Sequence, residues 1–122
     1  MIKSDQVAKL TDTQISEGLA KLPGWKVEHG KLHREYKFAD FAHAFGFMAT
    51  AAPTIEKNDH HPEWTNVYNK VIVDLTTHSA GGITQKDFDL AKRIEEVVLW
   101  RPAPEAEHPG GAARKFVRGE TR

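Results

Sequence analysis

The spacing of apolar residues changes several times along the chain, and each change marks a new element. Ile15, Leu19 and Leu22 recur at helical intervals within 12–21, Thr11 stands where it can cap that helix, and Pro23-Gly24 ends it. Residues 25–29 and 31–38 read as two strands around a turn at Gly30. In the second, Leu32, Tyr36 and Phe38 share one face while His33, Glu35 and Lys37 share the other. Helical spacing returns over 39–57, where Phe41, Phe45, Met48, Ala52 and Ile55 form one stripe. Pro53 lies inside that stretch. It removes a backbone donor and crowds the carbonyl of Ala49, at a cost of about 3 kcal/mol in a helix interior. A kink or an early helix end is expected there.

A second strand pair follows over 63–68 and 70–77, with Val71, Val73 and Leu75 alternating with Ile72, Asp74 and Thr76. A loop containing Gly81-Gly82 leads into a final helix over about 85–100. Thr84 and Asp87 make a capping arrangement at its start, and Leu90, Ala91, Ile94, Val97 and Val98 form its apolar face. The order helix, two strands, helix, two strands, helix predicts an α+β domain of two layers, with antiparallel strands and the helices on one face. After residue 100 the chain becomes rich in proline and glycine. Residues 1–100 read as one domain and 101–122 as a tail with a basic end.

Composition narrows the functions open to this fold. The 122 residues suffice for one core but not two. Lys plus Arg and Asp plus Glu are equal at 17 each, so the surplus of positive charge that binds nucleic acid is missing. No cysteine is present, which excludes disulfides and thiolate chemistry. No apolar run has the length of a membrane span, and the first residues lack the apolar core of a signal peptide, so the cytoplasm is the expected compartment.

The chemistry concentrates in one stretch. Glu56, Asp59 and Glu63 supply carboxylates and His60 and His61 imidazoles where the long helix should stop and the third strand begin. Pro62 restricts His61 to extended backbone. If the strands on either side of Asn69 pair through a tight turn, His78 returns beside residues near 60. That brings His60, His61 and His78 to one edge of the sheet, with Asp87 in reach from the last helix. Taken one at a time, these residues have plain structural readings: His-His-Pro ends a helix, His78 ends a strand, and Asp87 partners Thr84. A three-histidine zinc site is a second reading. It is disfavoured because His60 and His61 are adjacent and no ligand pair shows helical spacing. A nucleophile at Ser79 lacks the strained elbow such a serine needs. The remaining reading is metal-free acid–base catalysis, in which imidazoles remove one proton and deliver another.

Glu56, His60-His61-Pro62, Tyr68, His78 and Asp87, in this order and spacing, resemble the signature of the pterin-4a-carbinolamine dehydratase family. Pro23-Gly24-Trp25, Phe45-Gly46-Phe47-Met48 and Pro62-Glu63-Trp64 agree with it. The resemblance runs over roughly residues 10–100 and does not reach the tail. Thr76 stands where the family often has serine, and the hydroxyl is retained. The resemblance implies a four-stranded antiparallel sheet with three helices on one face, a homodimer or homotetramer, and no metal or cofactor. It implies dehydration of a 4a-hydroxytetrahydropterin to quinonoid dihydropterin, which recycles the pterin used by an aromatic amino acid hydroxylase. By resemblance His60 and His78 form the acid–base pair and His61 positions substrate, with Asp87 and Glu56 as supporting carboxylates. Asp59, Pro62, Thr76 and Thr77 line the substrate, and Trp64 offers an apolar wall. The family also contains dimerisation partners of a transcription factor, so a binding role stands as the alternative. The joint presence of three histidines and Asp87 favours catalysis.

Overall fold

The computed structural model describes residues 7–99. Trp100 and the tail read over 101–122 lie outside the described residues. Helix α1 (Asp12–Leu19) opens with a reciprocal cap: the Thr11 hydroxyl accepts from the Gln14 N–H at 3.1 Å, and the Gln14 side chain accepts from the Thr11 N–H at 2.9 Å. Strands β1 (Lys26–Glu28) and β2 (Lys31–Lys37) are joined through His29-Gly30. Both turn residues have positive φ, 54° and 76°, the geometry that suits the twist of a two-residue hairpin. Helix α2 (Phe41–Asn58) is capped by the Asp40 carboxylate, which accepts from the His43 N–H at 2.8 Å. Strands β3 (Glu63–Val67) and β4 (Lys70–Leu75) follow, then a 3-10 turn (His78–Ala80) and helix α3 (Gln85–Leu99).

The four strands form one antiparallel sheet in the order β1-β2-β4-β3. The two-layer α+β architecture read from the sequence is the one observed. Leu32, Tyr36, Val71, Val73 and Leu75 point to the helices and join Ala44, Phe47, Ala51 and Ile55 of α2 and Phe88, Leu90, Ala91 and Ile94 of α3 in one core. Each large apolar side chain so buried contributes about 1.5–3 kcal/mol. One polar knot sits in this layer. The Glu95 carboxylate accepts from the Trp25 indole at 2.9 Å and from the Tyr36 hydroxyl. Burial, and then contact with Glu95, push the Tyr36 hydroxyl far above the ordinary phenol range.

Helix α2 departs from the expected pattern twice. Its buried stripe is Ala44, Phe47, Ala51 and Ile55, whereas Phe41 and Phe45 are about half exposed and Ala52 is exposed. Both stripes satisfy helical spacing; they share Ile55 and otherwise lie one residue apart, a rotation of about 100°. The small Ala44 and Ala51 let the helix approach the sheet. The helix also does not end early at Pro53. Pro53 and Ala49 both lie on its exposed side, where water can serve a carbonyl left without its donor.

On the outward sheet face, His33 is only 7% exposed. It pairs across the strands with Asp74, whose Oδ1 lies 2.7 Å from Nδ1, and its Nε2 is 3.4 Å from Glu35. Burial acts to lower its pKa, but the Asp74 and Glu35 contacts outweigh that and hold it above the ordinary histidine value. A pKa raised on folding gives stability that is full below the unfolded value of about 6.5 and is lost as pH rises through the raised folded value. The gap in melting temperature between the native chain and His33→Gln should therefore be widest near pH 6 and narrow as the solution becomes alkaline. Thermal scans across that range check it.

Candidate active site

The site is built by the β3–β4 hairpin and the two segments that meet its open end. Val67 pairs with Lys70 and Glu63 with Asp74, so the chain leaving β4 returns beside the chain entering β3. Asn66 holds the turn by donating to the carbonyls of Tyr68 at 3.1 Å and Lys70 at 2.9 Å. Helix α2 ends on Asp59, a left-handed residue at φ 52°, ψ 40°. Aspartate tolerates that conformation better than most residues. The reversal carries His60 back towards α3.

There His60 meets the fully buried Asp87. Nε2 of His60 donates to Oδ1 of Asp87 at 2.6 Å, and the His60 side chain is 12% exposed. The other oxygen of Asp87 accepts from the Thr77 hydroxyl at 2.9 Å and from the Thr84 N–H at 2.8 Å. The Thr84 hydroxyl lies 2.8 Å from that of Thr77 and accepts from the Lys86 N–H at 3.2 Å. The capping pair expected at the start of α3 is thus present, and its acid also holds an imidazole.

The other two histidines are more open, and each has its own carboxylate. Nε2 of His61 lies 3.0 Å from Glu56, one turn back on α2. Nε2 of His78 lies 3.2 Å from Oε2 of Glu63. A carboxylate only accepts, so in each of the three pairs a hydrogen sits on Nε2, and Nδ1 carries a lone pair in the neutral ring or a second hydrogen in the imidazolium. No protein group among the described residues bonds to any of these Nδ1 atoms. The arrangement can therefore exchange protons with a bound molecule at three points.

The chain belongs to the pterin 4 alpha carbinolamine dehydratase family. That family's model matches residues 8–97, which include every site residue just described. A protein of Solibacter usitatus named "Putative pterin-4-alpha-carbinolamine dehydratase" is 59% identical over 87 residues, covering 71% of this chain and 92% of the relative. A protein of the same name from Rhodopseudomonas palustris is 50% identical over 93 residues, covering 75% and 92%. The crystal structure of a "transcriptional coactivator/pterin dehydratase" from Brucella melitensis matches with a TM-score of 0.70 at 46% identity, covering 73% of this chain and 97% of that one. The fold is that of a pterin dehydratase.

Within this candidate site, the residues named from sequence fall into groups. His60, Thr77 and Asp87 are joined directly. His61 joins Glu56, and His78 joins β3 at Glu63, three positions after His60. Asp59 is exposed at the helix end, Pro62 and Thr76 are half-buried, and Trp64 is half-buried with its ring edge on Phe47 at 6.3 Å. Two participants carry no role in the sequence reading: Glu63, named there only among the carboxylates of the stretch, and Lys31, not singled out at all. Lys31 Nζ is 2.5 Å from Glu63 Oε1. Lys31, and less strongly His78, hold the Glu63 carboxyl below the usual carboxylate range. The hairpin register sets Glu63 opposite Asp74, four residues before His78, and the 3-10 turn that follows β4 is what brings the His78 ring to it. Nothing local in the sequence points to Lys31.

Removing the Asp87 carboxylate strands three donors: His60 Nε2, the Thr77 hydroxyl and the Thr84 N–H. Asp87→Ala is expected to lose about 3–5 kcal/mol of stability, because each buried donor left unpaired costs about 1–3 kcal/mol. Asp87→Asn should keep more of the fold but presents an amide where His60 needs an acceptor. Urea unfolding of both variants tests the stability difference.

Proposed function

We propose that this chain dehydrates a pterin 4a-carbinolamine, 4a-hydroxytetrahydrobiopterin or a close analogue, to quinonoid dihydropterin and water, by histidine acid–base catalysis. The observation that carries the reading is the set of imidazoles, each held through Nε2 by a carboxylate and each keeping Nδ1 for a ligand, within a member of this family. In the reaction the C4a–O bond breaks, the hydroxyl leaves as water after taking a proton, and N5 gives up its proton while its electron pair forms the C4a=N5 bond. One base and one acid suffice, each contributing about 10²–10⁴-fold. His60 takes the N5 proton, and the buried Asp87 stabilises the imidazolium that forms. His78, as the imidazolium, delivers its Nδ1 proton to the leaving hydroxyl. His61 binds and orients the pterin with Glu56, and Asp59, Pro62, Trp64, Thr76 and Thr77 shape the surface it lies on.

The product is the oxidised pterin that a reductase must return to an aromatic amino acid hydroxylase, so the reading places the chain in pterin recycling. Assembly as a homodimer or homotetramer belongs to the same reading. Phe41 and Phe45, tilted against each other with ring centroids 5.9 Å apart and exposed on α2, are apolar surface that such assembly would cover. Among the described residues no helix is long and apolar enough to cross a membrane. The coactivator half of the Brucella protein's name supports a second role, binding a protein partner.

The rate of quinonoid product formation from fresh carbinolamine, corrected for spontaneous dehydration, tests the chemistry. His60→Ala and His78→Ala should each lower turnover about 10²–10⁴-fold with dihydropterin affinity little changed. His61→Ala should weaken affinity more than turnover. The double variant at 60 and 78 should lose less than the product of the single losses. Native turnover in all three single variants would overturn the histidine mechanism, and a native chain no faster than spontaneous dehydration would replace the enzyme reading with the binding role. No group of three or more potential metal ligands is assembled among the described residues. Dialysis against a chelator should accordingly leave the rate intact, and recovery of a lost rate by zinc would overturn the metal-free mechanism.

A further inference from the structure

We propose that Glu63, held in place by Lys31, is a positioning residue that fixes the His78 ring; as a statement about catalysis this rests on the dehydratase reading above. The need for such a residue follows from how differently His60 and His78 are supported. His60 is enclosed and bonded to a buried acid. The His78 side chain is 81% exposed, so packing restrains it little.

Its main chain, by contrast, is fixed. The preceding Thr77 donates its N–H to the Gly82 carbonyl at 3.0 Å, and its hydroxyl is tied to Asp87. The Thr77 carbonyl accepts from Ala80 and the His78 carbonyl from Gly81, closing the 3-10 turn. What remains free is the rotation of the His78 side chain. Glu63 is the one protein group hydrogen-bonded to that ring among the described residues.

An exposed glutamate is itself a mobile anchor, with three rotatable bonds. Lys31 supplies the missing restraint. Leu32 pairs with Leu75 and Glu63 with Asp74, so Lys31 and Glu63 flank β4 on the outward face. The lysine reaches across that strand to Oε1, which leaves Oε2 for His78. Asp74, beneath the crossing, adds to the attraction on the ammonium. With both oxygens engaged, Glu63 presents one fixed acceptor to Nε2 and directs Nδ1 away from the sheet. Holding a reacting group to within about an ångström is worth up to about 10²-fold in rate.

The test uses the full chain with Glu63→Ala, Glu63→Gln and Lys31→Met, alone and combined with His78→Ala. Relaxation of the His78 ring Cε1–H, followed by NMR, reports ring order without reference to turnover. The ring should be ordered in the native chain and mobile in Glu63→Ala, with Lys31→Met between them. Glu63→Gln, which keeps an acceptor oxygen, should restore much of the order. Kinetically, Glu63→Ala should lower turnover about 10–100-fold with KM within about twofold, and it should cost less than about twofold more when His78 is already alanine. A ring equally ordered without Glu63, or the same loss of rate with and without His78, overturns the proposal. Melting temperatures close to native show that the variants fold. If the native chain shows no turnover, the dehydratase reading fails and ring order alone decides the role of Glu63.

Discussion

Everything at the open end of the sheet turns on the carboxylate of Asp87. Taking a carboxylate fully out of water costs several kcal/mol even after the protein relaxes. Here three donors offset that cost: an imidazole, a hydroxyl and a backbone N–H, from His60, Thr77 and Thr84. Hydrogen bonds to a charged group are worth about 1.5–3 kcal/mol each. The first turn of α3 adds the favourable end of its dipole. The three donors come from the loop after α2, the exit of β4 and the start of α3. One side chain therefore closes the fold where these segments meet and sets the angle of the most enclosed imidazole. Stability and site geometry are not separable there.

Moving outwards from Asp87, the means of support change. His60 is held by enclosure. Among the described residues, His61 and His78 are held only by surface carboxylates, Glu56 and Glu63, and of these Glu63 alone has a lysine engaged on its second oxygen. Surface ion pairs contribute little to stability, typically about 0–1 kcal/mol. Their value at this site is geometric, because fixing a ring's direction requires little energy when its main chain is already fixed. The Lys31–Glu63–His78 chain thus sits where it matters least to folding and most to orientation.

How far the sequence could be read followed from whether a feature was local. The hairpin about Tyr68-Asn69 was legible because period-two alternation on both sides fixes its register, and with it the return of His78 towards residue 60. The double use of Asp87 was half legible: its spacing from Thr84 announced the cap, and only the meeting of two distant loops revealed His60 on the other oxygen. The phase of α2 was not legible, since Phe41-Phe45 and Ala44-Phe47-Ala51 fit the same period. What decided between them is how closely the helix can approach the sheet. The burial of His33 and the reach of Lys31 both depend on β2 pairing with β4, a contact between strands far apart in the chain. Alternation within one strand carries no information about its neighbour.

The exposure gradient across the three imidazoles suits the chemistry proposed for them. Each turnover leaves the base with a proton it must lose and the acid without one it must regain. A deeply enclosed pair would need a route to water for both. With the His78 side chain 81% exposed, the acid is recharged directly from solvent. His60, at 12%, is shielded on the Asp87 side but keeps Nδ1 unbonded, so the atom that takes the substrate proton is also the one that can return it once product leaves. Full enclosure serves reactions whose intermediates water would destroy or whose charges need a dry site. Loss of water from a carbinolamine has neither requirement: water is its product, and the cation it passes through is relieved by loss of the N5 proton. Two well-aimed proton transfers answer the barrier, and an open edge of a sheet with its rings fixed by carboxylates is sufficient to aim them.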